Sequence, residues 1–138
     1  MAKTKSETFS VRLEPKTRYL AELAARSQGR SLANFIQMAV ERALENTEVQ
    51  TYARPNQAIP VLSSEFVELV WDVDEPERLV KLALAYPELM TFDEQVIYKR
   101  LLRDYLMDDA RAPYTEHHFD WPRISTDWKQ LKEPPKSV

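Results

Sequence analysis

Gln28-Gly29-Arg30-Ser31-Leu32 holds the only glycine among 138 residues, and it separates two apolar repeats of helical period. A single glycine at such a break marks a helix C′ position, where the backbone needs a positive φ and glycine meets no steric penalty. On its N-terminal side, Pro15 suits the first position of a helix. Tyr19, Leu20, Leu23 and Ala24 then make an apolar stripe that predicts a helix over about residues 15–28. On its C-terminal side, Ser31 is a favoured N-cap, and Leu32, Phe35, Ile36, Ala39, Val40, Ala43 and Leu44 recur at i, i+3, i+4, i+7, i+8, i+11 and i+12. This second helix is the strongest periodic signal in the chain.

Upstream lies Thr8-Phe9-Ser10-Val11-Arg12-Leu13-Glu14, an alternating stretch of strand period. Phe9, Val11 and Leu13 share one face; Thr8, Ser10, Arg12 and Glu14 share the other. A lone strand of this length is not stable, and the nearby sequence offers no second strand pattern. The economical partner is the same strand of another copy, in a two-stranded antiparallel ribbon. Some 40 residues bury too little surface to stand alone, so strand and helices are expected to share one core between two protomers. That core is expected to use Phe9, Val11, Leu13, Leu20, Leu23, Leu32, Phe35, Ile36 and Val40.

Charge is partitioned along the chain. The formal net charge is −3, yet residues 1–30 carry seven Lys/Arg against three Glu, whereas residues 51–138 carry eleven against sixteen Asp/Glu. One end is suited to phosphates and the other to something else. The absence of cysteine excludes a disulfide framework, a thiolate zinc site and a cysteine nucleophile. No apolar run approaches the ~20 residues of a membrane span, and Met1-Ala2-Lys3-Thr4-Lys5 lacks the apolar core of a signal peptide. The cytoplasm is the expected compartment.

The order of alternating strand, Pro15, helix, Gly29-Arg30-Ser31 and helix, over residues 8–46, resembles the ribbon-helix-helix family of bacterial and phage regulators, which includes Arc-like repressors and many antitoxins. The resemblance implies that paired strands enter the DNA major groove, with Thr8, Ser10 and Arg12 reading bases. Arg12 is chemically the best placed, because a guanidinium bonds the O6 and N7 of guanine together, worth ~1–3 kcal/mol of discrimination. It also implies that the start of the second helix clamps the backbone. There the free amides and positive dipole end at Arg30, Ser31 and Leu32 form a phosphate site. Lys3, Lys5, Lys16 and Arg18 would add sequence-independent contacts.

The remainder divides into a connector (residues 47–62, with Pro55 and Pro60), a small helical region (63–107) and a tail (108–138). In the helical region, Ser63 to Trp71 is apolar enough to be buried. Asp72-Val73-Asp74-Glu75-Pro76 opens a helix carrying Leu79, Val80, Leu82, Ala83 and Tyr86, and Pro87 ends it. Thr91-Phe92-Asp93-Glu94 is a capping box ahead of Ile97, Tyr98, Leu101, Leu102, Tyr105 and Leu106. The tail holds four prolines and the aromatics Tyr114, Phe119, Trp121 and Trp128. These suit either an extended segment that wraps a partner or one that folds back on the bundle.

The fold expected is therefore mainly α: an N-terminal ribbon-helix-helix unit (1–46), then a small helical region and an extended tail. The function expected is a homodimeric repressor on inverted-repeat DNA. Two alternatives remain open. One is an antitoxin that neutralises a toxin through residues 63–138; the other is a plasmid partition or transfer accessory. No cofactor is expected, and the neighbouring His117 and His118 make a poor metal pair because adjacent histidines rarely aim at one ion. The sequence holds no phosphate-cradling glycine loop and no nucleophile elbow, which argues against an enzyme.

Overall fold

A computed structural model describes residues 6–51 and 54–133, in two compact units, Met1–Ser63 and Ser64–Val138. The first unit begins with α1 (Pro15–Ser27) and α2 (Leu32–Glu45), followed by β1 (Glu48–Thr51) and β2 (Arg54–Pro60). Pro15 stands at the first turn of α1, where its missing N–H costs nothing. The helix ends in a Schellman turn: the Arg30 amide donates to the Ala25 carbonyl at 2.9 Å and the Gly29 amide to the Arg26 carbonyl at 3.1 Å. Gly29 sits at φ 63°. The Ser31 hydroxyl then caps α2 by accepting from the Asn34 amide at 3.1 Å.

A β-carbon built on Gly29 meets no atom within 4 Å, so any cost of filling it lies in the backbone. Gly29→Ala is expected to destabilise the α1–α2 unit by about 1 kcal/mol, and Gly29→Asn by less, because asparagine tolerates the left-handed region better. Thermal melts followed by far-UV circular dichroism would show this as a lower midpoint for alanine than for asparagine. Equal midpoints for all three would remove the turn's role.

The strand-first arrangement is not what forms. Residues 6–14 carry no regular secondary structure, and the two-stranded antiparallel sheet follows the first two helices instead of preceding them. A strand needs a ladder partner, and an alternating stretch without one remains irregular. The pairing occurs within the stretch read as a connector, with Glu48 opposite Pro60 and Val49 opposite Ile59, and a register shift before Thr51 meets Arg54. A two-stranded ribbon leaves an unpaired edge on each strand, which is where proline is tolerated.

The second unit contains α3 (Ser64–Val70), α4 (Glu75–Ala85), α5 (Phe92–Asp104) and α6 (Trp121–Lys132). The Thr91 capping box starts α5: the Thr91 hydroxyl accepts from the Glu94 amide at 3.1 Å, and a Glu94 carboxylate oxygen accepts from the Thr91 amide at 2.9 Å. The core is one cluster of Leu79, Val80, Leu101, Phe119, Ile124 and Leu131. Phe66 anchors α3, its ring 5.1 Å from that of Tyr86, and both side chains are buried.

Of the two readings of the tail, the one that folds back on the bundle is what forms, and the extended tail of the expected fold is corrected. Residues 121–132 form α6, Phe119 is buried, and Tyr114, Trp121 and Trp128 pack against the core cluster. The segment leading into α6 returns to the end of α5. The Asp120 amide donates to the Tyr105 carbonyl and the Met107 amide to the His118 carbonyl, both at 2.8 Å. The Tyr105 hydroxyl donates to Asp127 Oδ2 at 2.7 Å, while the Arg123 guanidinium lies 4.9 Å above the Tyr105 ring. Tryptophan and tyrosine carry enough apolar area that folding back buries more surface than an extended chain would.

Candidate nucleic-acid interface

Thr8, Ser10 and Arg12 are exposed in the irregular segment that leads into α1. Phe9 and Val11 on the alternate positions are 88% and 61% exposed. Lys16 and Arg18 stand exposed on the first turns of α1, and Arg30 and Ser31 lie exposed at the turn into α2. Leu32 is half-buried at the start of α2. Lys3 and Lys5 lie outside the described residues.

Glu22 receives Arg18 at 3.3 Å and Arg26 at 3.9 Å, one carboxylate between two guanidinium groups, so this face of α1 keeps a net positive charge. Such exposed pairs contribute a few tenths of a kcal/mol each and leave the cations accessible to phosphates. Ser31 engages one first-turn amide of α2, while the amides nearest the N-terminus point along the axis at the positive end of the helix dipole. The chemistry available here is anion binding, with Arg12 offering the only bidentate fork on the segment before α1.

The apolar side chains assigned to a shared core are uncovered within one chain. Leu13, Leu20, Leu23 and Val40 are exposed, and Leu32, Phe35 and Ile36 are only half-buried. Among the described residues of the first unit, Ala25 alone is buried. Although α2 is strongly amphipathic, it buries no residue.

In the second unit, Tyr114, Phe119, Trp121 and Trp128 are committed to the core or packed on it, and the Trp121 indole N–H donates to the Glu116 carbonyl at 2.9 Å. His118 Nδ1 accepts from the Thr115 amide at 3.0 Å. A grouping that sequence reading did not single out is Asp72, Asp74 and Glu77, whose carboxylate oxygens lie within 4.8 Å of one another at the start of α4. Burial pushes the Glu77 carboxyl up, and Asp72, Asp74 and Glu116 add to the rise, so Glu77 holds its proton to higher pH than a free carboxyl does. The signal was present in the acidic turn Asp72-Val73-Asp74-Glu75. The missing information was that the turn folds three carboxylates onto one another.

Among the described residues no helix is long and apolar enough to cross a membrane. Compared with protein-family models, with curated proteins and with solved structures, the chain has no match in any of the three.

Proposed function

We propose that this chain is a sequence-specific DNA-binding regulator that acts as a homodimer on inverted-repeat sites. The observation that carries the proposal is an amphipathic α2 with no buried residue, in a unit whose described residues bury only Ala25. An apolar face of this kind is stable in water once a second copy covers it. The same unit carries Arg12, Lys16, Arg18, Arg26 and Arg30 against Glu14 and Glu22 over residues 12–30, which gives it the electrostatic footprint of a phosphate binder. A two-fold protein on a two-fold site brings two such surfaces to the DNA together.

The test is site selection from random duplexes with the full chain, followed by fluorescence anisotropy across a salt series. Binding is expected to weaken linearly in log–log form as salt rises, reflecting counterion release from phosphates. Arg12→Ala is expected to reduce the preference for the selected site over random DNA by roughly 10- to 100-fold, the loss of one bidentate base contact, with unchanged circular dichroism. Undiminished preference would remove Arg12 as a reader. Failure of the full chain to retain any duplex at low salt would remove the function itself.

A further inference from the structure

The second unit has two adjoining cavities that share Trp128. One, of about 370 Å³, has a mainly apolar lining in which Val70, Trp71, Leu79, Leu82 and Ile97 join Trp128. The other, of about 220 Å³, is lined by Asp74, Pro76, Glu77, Ser125 and Trp128. The start of α4 contributes to both, because Glu75, Arg78 and Leu79 line the larger cavity while Asp74, Pro76 and Glu77 line the acidic one. An apolar pocket beside converging carboxylates selects a ligand that is apolar at one point and cationic at the next.

We infer that this unit docks a basic segment of a partner protein across Trp128, seating an apolar side chain in the larger cavity and a lysine or arginine between Asp74 and Glu77. Charge complementarity names the occupant. Residues 64–77 hold six Asp/Glu and no Lys/Arg, and residues 64–138 hold sixteen against ten. Nucleic acid is repelled by that surface. So is the same unit of another copy. Of the cations at hand, Lys81 enters the carboxylate group but pairs with Asp72, at 3.6 Å, and donates to the Trp71 carbonyl at 2.9 Å, while Arg78 lies 5.1 Å above the Trp71 ring. Lys132 reaches Glu75 Oε2 at 3.0 Å on the apolar side. Burial pushes the Glu75 carboxyl up, but the Lys132 ammonium beside it outweighs this and holds that carboxyl lower than a free one.

Lys81 offsets one of the three carboxylates, so Asp72, Asp74 and Glu77 together keep an excess of like charge around Glu77, and an incoming cation relieves their repulsion. Trp71, 45% exposed at the mouth of the larger cavity, supplies the aromatic contact that commonly anchors such interfaces.

The experiment uses the full chain and two synthetic helical peptides of equal positive charge, one with leucines between its lysines and one with serines there. Binding is read by anisotropy of the labelled peptide, and the Glu77 carboxyl is titrated by nuclear magnetic resonance. The leucine peptide is expected to bind at least about tenfold more tightly than the serine peptide and to lower the Glu77 pKa. Asp74→Asn/Glu77→Gln is expected to weaken it by about tenfold or more, and Trp71→Ala to erase the preference for leucine. All three positions reach solvent and lie outside the core cluster, so circular dichroism should match the parent chain. Equal binding of both peptides, binding indifferent to the double variant, or no binding of either would overturn the docking surface. A drop in the Glu77 pKa with magnesium ions and none with peptide would replace it with a simple cation site. None of these results depends on DNA binding by the first unit.

Discussion

Val40→Asp is expected to abolish self-association and, with it, DNA binding. Val40 is 53% exposed in one chain, so a carboxylate there should change the stability of the isolated protomer by no more than about 0.5 kcal/mol. In a homodimer that covers α2, the same carboxylate would be buried without a partner, at a cost of about 3–5 kcal/mol, or at least a hundredfold in affinity. Sedimentation equilibrium would show a monomer where the parent chain is a dimer. Anisotropy with the selected duplex would show loss of specific binding. Val40→Leu, which keeps the apolar surface, should retain both. A Val40→Asp chain that still dimerises and binds would mean that α2 faces solvent in the working protein, and the proposed assembly would fall.

Leu101→Ala is expected to have the largest effect on stability. Leu101 is fully shielded from solvent on α5, in the cluster with Val80 of α4 and Ile124 and Leu131 of α6. Removing it leaves a cavity that these neighbours fill incompletely, at about 3 kcal/mol. A unit of this size has a total stability of the order of 5 kcal/mol, so more than half of it would go. Urea unfolding followed by tryptophan fluorescence reports this unit directly, because all three tryptophans lie in residues 64–138. A shift below about 1 kcal/mol would mean that the core around Leu101 repacks freely. The two substitutions are expected to act on different units: Val40→Asp on assembly and DNA, Leu101→Ala on the fold of the C-terminal region.

The helices were legible wherever local chemistry punctuates them. Pro15, Gly29, Ser31 and the Thr91–Glu94 box all sit where side-chain preference alone predicted a start or a stop, because capping satisfies backbone groups within a few residues of the sequence signal. The strands were not legible, since pairing is non-local. The alternation from Thr8 to Glu14 has strand period and finds no ladder. Val49 and Ile59 do find each other, in a stretch whose prolines had argued against a sheet. Which of its two readings the tail takes was not legible for a related reason. Its prolines weaken helical periodicity, while the capacity of Phe119 and Trp128 to bury surface depends on where α4 and α5 place their own apolar faces. Of the candidate DNA contacts, residue type and exposure could be read from sequence, but not that Glu22 ties Arg18 and Arg26 together.

In the proposed assembly, the uncovered face of α2 would link occupancy of DNA to abundance. The competent species there forms by a second-order reaction, so its amount falls with the square of chain concentration when the chain is scarce. A regulator built this way responds to its own synthesis and dilution more steeply than a monomer would, without any effector. Growth, which dilutes every protein alike, would release its target earlier than the loss of protein alone would suggest.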